Sequence, residues 1–177
     1  MRSGRSVPLE FAAKVGAAFA LPPRAAWGRL AIEAAWSLPL AAMLCAVGGL
    51  LDPGWTDQPG QLFRLALVAL VVPALGEELL FRVLLLPAPG APASGPRLAL
   101  SVFLFVVWHP PQALIFGPHW AVIVLNPGFL AAVAVLGLAL GRLYLRTGSI
   151  WPCILLHWTA IMAWKAFFGA PSPWVSA

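Results

Sequence analysis

Charge is scarce in this chain of 177 residues: charged side chains make up 10%, with 6 Asp and Glu against 11 Lys and Arg. A soluble domain carries about 25%, so the usual solvated surface is excluded. The basic residues stand singly between apolar stretches. Without a basic patch or aromatic–basic interleaving, nucleic acid is excluded as a partner. Cysteine is as sparse: Cys45 and Cys153 both sit in apolar stretches at no metal-ligand spacing. Neither a disulfide nor a thiolate zinc site follows. What the chain has in abundance is apolar sequence, at 61% hydrophobic residues and a mean hydropathy of +0.88. The expected solvent is lipid, and the bilayer is the first expected partner.

A helix needs about 20 residues to cross roughly 30 Å of hydrocarbon. Five stretches meet that length, near 30–51, 62–86, 98–117, 128–146 and 149–169. The fold class expected is all-α, a polytopic helix bundle. The first stretch carries Glu33 at its start and Pro39 inside. Before it, Val7, Leu9, Phe11, Val15 and Phe19 alternate with Arg2, Arg5 and Lys14, and no small-residue cleavage site follows. That pattern reads as a surface helix rather than a signal peptide. The resulting organisation is 1–29 amphipathic, 30–61 first span and external loop, 62–169 core and 170–177 tail.

Orientation follows from Lys and Arg, which gather on the cytoplasmic side. Arg2, Arg5, Lys14, Arg24 and Arg29 precede the first span, while DPGWTDQPGQ holds acids and no base. The N-terminus is therefore expected inside. Arg97, Arg142 and Arg146 then fall on the cytoplasmic face, and the loop from Pro118 to Pro127, with His119, falls outside. Arg64 and Lys165 lie near outer ends, from which long side chains snorkel.

At about 1.5 Å of rise per residue, this arrangement sets Glu77, His109 and His157 in one layer, roughly 12–17 Å from the cytoplasmic ends. Ionisable groups at that depth are costly and mark a site by default. Glu78 and Arg82 are four apart with the acid first, the order favoured for a helical ion pair. Glu77 is left without a cation, about 100° round the helix. Each histidine alone reads better as a hydrogen-bonded core residue than as a catalytic one, and the shared layer turns the balance to a joint site. Pro110 and Pro111 follow His109 in FVVWHPPQ. They deprive the Val106 and Val107 carbonyls of helical partners, through either a packing kink or a cavity wall. Gly137 and Gly141 allow close helix approach, and Pro152 fits a first helical turn. Trp108, Trp151, Trp158 and Trp164 read as packing or interface anchors, with a cavity lining as the alternative.

GEELLFR contains EExxxR as Glu77, Glu78 and Arg82, FVVWH contains FxxxH as Phe105 and His109, and GSIWPCILLH ends in His157. In these motifs the chain resembles the CAAX protease and bacteriocin-processing (Abi) family of intramembrane endopeptidases, whose eukaryotic members trim prenylated proteins. The resemblance spans about 62–169. It implies Glu77 as the base that activates water, His109 assisting it and His157 polarising the scissile carbonyl, with Glu78, Arg82 and Phe105 in support. Where the family pattern HxxxN places Asn or Asp, this chain has Ile161. Losing one oxyanion donor costs about 10²–10³ in rate; Thr159 and Gln112 are the substitutes to consider.

The expected function is an intramembrane endopeptidase with no cofactor, its cavity opening toward the cytoplasm and its substrate a membrane-associated peptide or protein. Zinc on Glu77, His109 and His157 is the alternative, although no HExxH helix is present. An inactive scaffold or immunity protein and a proton-coupled transporter are the other readings. The compact, Ala-, Pro-, Gly- and Arg-rich chain is expected in a bacterial inner membrane.

Overall fold

Proline and glycine punctuate the chain into helices. In the computed structural model, which describes residues 7–56, 59–116 and 123–170, α1 spans Val7–Ala18 and ends ahead of Leu21, Pro22 and Pro23. The first long helix, α2, starts at Arg24 and stops at Val47, before Gly48 and the left-handed Gly49. Pro23 supplies the extended residue that precedes it, so α2 begins before residue 30, the expected start. α3 covers Pro59–Ala69 and continues in wide-turned π-helix over Leu70–Glu77 and Leu79–Leu84. α4 is Gly95–Phe116, α5 Pro127–Thr147 and α6 Trp151–Phe167. α4 remains helical through Pro110 and Pro111. Residues 1–6, 57–58, 117–122 and 171–177 lie outside the described set, and with them Arg2, Arg5, His119 and nearly all of the tail.

The fold is an all-α helical bundle. α2 packs mainly along α5, and α5 in turn contacts α4 and α6. Large apolar side chains including Phe63, Val72, Phe103, Val107, Leu138 and Leu155 are exposed around its outer surface. In water this would be a severe liability; against acyl chains it is the matching surface. α2 and α5 each have the length and hydropathy to cross a membrane.

Polar groups hold the bundle internally. Glu33, fully buried on α2, accepts from Trp36 Nε1 at 2.7 Å, Arg146 Nη1 at 2.8 Å and Arg142 Nε at 3.2 Å. Both arginines belong to α5, so Glu33 ties that helix to α2. Close packing ties α5 to α4: a Cβ on Gly137 would stand 2.9 Å from Phe105 Cδ1, and one on Gly141 would collide with Leu98. The two glycines are the notches into which α4 fits. Pro152 occupies the first turn of α6. Cys45 and Cys153 are free and buried.

α1 closes one end. Its last turn and the residues after it accept hydrogen bonds from the α5–α6 connection: Ile150 N to Ala18 O at 2.8 Å, Ser149 Oγ to Ala20 O at 2.9 Å, and Trp151 Nε1 to Phe19 O at 3.0 Å. Lys14 Nζ donates to Leu84 O at 3.2 Å. Burial, with Arg97 as the second cause, holds the Lys14 ammonium below the usual lysine range. Leu9 and Phe11 face outward, the disposition of a helix lying at an interface. At the opposite end, Asp52, Gly54 and Thr56 donate backbone N–H groups to Phe168, Phe167 and Ala166.

Candidate active site

The wide turns of the third rod position the carboxylates. Pro73 lies inside this stretch; it has no N–H and its ring crowds the carbonyl four residues back. A π turn, bonded i to i+5, relieves that conflict and recurs at functional sites. It also rotates less per residue than an α turn. Adjacent Glu77 and Glu78 can therefore both point inward, at 5% and 0% exposure.

Glu78 accepts from Arg82 Nε at 3.0 Å through Oε2 and faces His157 Nδ1 at 3.0 Å through Oε1. A carboxylate in an ion pair offers only acceptor oxygens, so His157 Nδ1 is the donor. Arg82 Nη1 donates to Ser101 Oγ at 2.8 Å, and Ser101 Oγ donates to Phe81 O at 2.7 Å. The guanidinium also lies over the Phe105 ring, 4.7 Å from its centre. All of Glu78, Arg82 and Ser101 are fully buried. The ion pair expected from their spacing is present, and it extends through Glu78 to the α6 histidine.

Glu77 is held differently. Trp108 Nε1 donates to its Oε1 at 3.1 Å, while its buried Oε2 has no hydrogen-bond partner among the described residues. That free oxygen lies 3.8 Å from His157 Nε2. His109 Nδ1 donates to Phe105 O at 2.8 Å, leaving Nε2 as its open nitrogen. Phe105 packs edge-on against His109 and against His157, with ring centres 4.9 and 5.7 Å apart. His109 and His157, from two helices, meet on this one ring, and Glu77 approaches His157 from a third.

The two histidines border a cavity of about 240 Å³, and Glu77 is not among its lining residues. His109 and His157 are on its wall with Phe105, and Ile161 lies one turn beyond His157 on the same wall. Neither Thr159 nor Gln112 is among its lining residues. Of the four tryptophans, Trp164 lines it. Trp108 anchors Glu77, Trp151 binds Phe19 O, and Trp158 donates to Ala66 O at 2.8 Å.

The lining extends to Leu51 after α2, Phe129 at the start of α5 and Phe168 after α6. These belong to the end of the bundle opposite α1.

Trp108 and Ser101 were not singled out as site residues, and neither was the Glu33 cluster. Trp108 sits next to His109 inside the motif, the one local hint; Ser101 and Glu33 acquire their roles only through partners on other helices. Among the described residues, no three His, Cys, Asp or Glu side chains converge as a metal-binding group. The zinc alternative thus has no donor cluster, and no step below passes through a metal.

No curated protein and no solved structure matches the chain. Residues 59–162, from the start of α3 through most of α6, match the family model described as type II CAAX prenyl endopeptidase Rce1-like. This range holds every motif residue discussed above and covers more than half of the sequence, and the chain belongs to the Rce1-like family of type II CAAX prenyl endopeptidases.

Proposed function

We propose that this chain hydrolyses a peptide bond inside the membrane with a water activated by Glu77. The family implies a protease of the intramembrane endopeptidase type. The observation that carries the finer reading is the buried Glu77 Oε2, free of partners among the described residues and 3.8 Å from His157 Nε2 beside the cavity. A free carboxylate oxygen in a water-poor site is a strong acceptor for a proton from water.

In this reading Trp108 fixes one oxygen of Glu77 so that the other faces the reacting centre. Glu77 takes a proton from water as its oxygen attacks the carbonyl carbon. His157, held through Nδ1 by Glu78, acts in this reading as an imidazolium, so that its Nε2–H donates to the developing oxyanion. His109, fixed through Phe105 O, assists in orienting the water. The C–N bond then breaks, and the proton held by Glu77 passes to the leaving amine. Water and peptide become an acid and an amine, with no other reactant consumed. Arg82 and Glu78 act as positioning residues.

We further propose a bacterial inner membrane, a cytoplasmic N-terminus and a membrane-associated peptide or protein as substrate. The arginines at the α1 end support that orientation. The test is a search for new peptide termini in host membranes incubated with purified protein, comparing wild type with Glu77→Gln and repeating with a chelator. Termini made by wild type alone support the proposal; equal termini with the folded variant overturn it, and chelator sensitivity would require a metal. A second reading, a non-catalytic scaffold, is favoured by Ile161, an apolar residue on the wall where the family places an amide. Absence of any cleavage by folded wild type would select it.

A further inference from the structure

A second polar cluster lies apart from the catalytic groups, where α2 runs along α5. Glu33 is fully buried there. Its Oε2 is taken by Trp36, and its remaining oxygen, Oε1, accepts from both Arg142 and Arg146. Two guanidiniums thus share one negative charge, and the cluster keeps a net positive charge. Arg142 engages Glu33 through Nε and Arg146 through Nη1, and no other acceptor among the described residues meets either side chain. A guanidinium carries five N–H donors, so most of each fork is left for another acceptor. Both side chains are 39–40% exposed. Trp36 also faces Arg142, whose Cζ is 6.0 Å from the ring centre, and so braces it from a second side.

The surroundings are those of a lipid headgroup. Arg146 and Arg142 lie just before the end of α5 at Thr147, roughly 2 and 8 Å from it along the axis. Arg29, exposed one turn before Glu33 on α2, adds positive charge on the side toward α1. Leu138, one turn from Arg142, and Ile32, one turn from Arg29 by the same helical spacing, are exposed aliphatic side chains. Guanidinium forks match the paired oxygens of a phosphate group, and the aliphatic side chains beyond them match acyl chains.

We propose that Arg142 and Arg146, aimed by Glu33, bind the phosphodiester of an anionic phospholipid at the α2–α5 seam. Basic pockets between membrane helices suit acidic headgroups in this way. A free phosphate offers the same oxygens without the acyl chains, and a zwitterionic headgroup brings an ammonium that Arg29 and the cluster repel. The site depends neither on Glu77 nor on the endopeptidase reading. Its seam joins a helix that lies ahead of the family match at 59–162 to one within it. A bound lipid therefore fastens α2 to the family core.

The test uses the full chain purified in detergent and stripped of lipid, with binding read by native mass spectrometry and by the rise in unfolding midpoint. The probes are phosphatidylglycerol, phosphatidylethanolamine and inorganic phosphate. Combining Glu33→Gln, Arg142→Gln and Arg146→Gln removes the cluster's charges without stranding a buried carboxylate, and lowers the net charge by one. Arg64→Gln, at an exposed arginine on α3, lowers it equally at another place. Phosphatidylglycerol is expected to bind wild type and raise its midpoint. Its affinity should fall about tenfold or more in the triple variant, as for loss of one charge-assisted bond, and hold in Arg64→Gln. An equal fall in Arg64→Gln, or none in the triple variant, would overturn the proposal. So would phosphatidylethanolamine binding as tightly as phosphatidylglycerol, or inorganic phosphate alone producing the whole rise in midpoint. If the triple variant does not fold, Arg146→Gln, which leaves Glu33 paired with Arg142, carries the same expectation and the same overturning results.

Discussion

His157 and Glu78 are joined across the bundle, Nδ1 to Oε1 at 3.0 Å, although 79 positions separate them in the chain. The bond fixes the imidazole so that its other nitrogen faces Glu77. Substitution of Glu78 by Gln keeps the volume and removes the charge that faces His157 Nδ1. Cleavage is expected to fall while thermal unfolding in detergent changes less than for an Ala substitution. A Glu78→Gln enzyme with wild-type kcat would show that the charge of Glu78 does not prepare His157 for catalysis.

Glu77→Gln removes the proposed base and leaves an isosteric amide for Trp108 to bond. Peptide cleavage should drop by about 10²–10⁴-fold, the range associated with loss of a general base, with the unfolding midpoint little altered. Product release measured by mass spectrometry checks this.

Arg82→Met would strand the Glu78 carboxylate, which is fully buried. Breaking one side of a buried pair costs about 3–5 kcal/mol, here with loss of the Ser101 bond as well. A marked fall in the unfolding midpoint is expected. Replacing Arg82 and Glu78 together by apolar residues should recover stability but not cleavage.

Glu33→Ala leaves Arg142 and Arg146 without their shared acceptor, yet both side chains are 39–40% exposed. Water and headgroups can solvate them, so the expected loss is about 1–2 kcal/mol, below that of the buried Arg82 pair. A loss as large as that for Arg82→Met would mean that α2 detaches from α5 altogether.

Ile161→Asn places an amide on the wall one turn from His157, where the family pattern has it. If an oxyanion donor is what this site lacks, cleavage should rise by up to about 10²–10³-fold. Unchanged rates would show that another group already supplies it.

Gly137→Ala brings a methyl against Phe105 Cδ1 at 2.9 Å. Overpacking of this kind costs about 1–3 kcal/mol. Because Phe105 touches Arg82, His109 and His157, kcat should fall as well. Gly141→Ala, which displaces Leu98 instead, should cost stability with a smaller effect on kcat.

Much of this protein is written locally. Apolar runs of spanning length and Pro or Gly at their ends specify the helices, since a bilayer leaves the backbone no other way to satisfy its polar groups. Acid-before-base spacing specifies the Glu78–Arg82 pair, because four residues bring side chains together on one helix. Only the tertiary structure decided the rest. Whether Glu77 would be anchored by Trp108, whether Glu33 would pair with α5, and which end of the bundle would be sealed all depend on side chains tens of positions apart. The cavity lies on the side of His157 away from α1, lined there by Ala41, Ala42, Ala160 and Ala163, while Leu140, Leu143 and Ile150 fill the other side. A void is a property of how several helices pack together, and no single helix carries it.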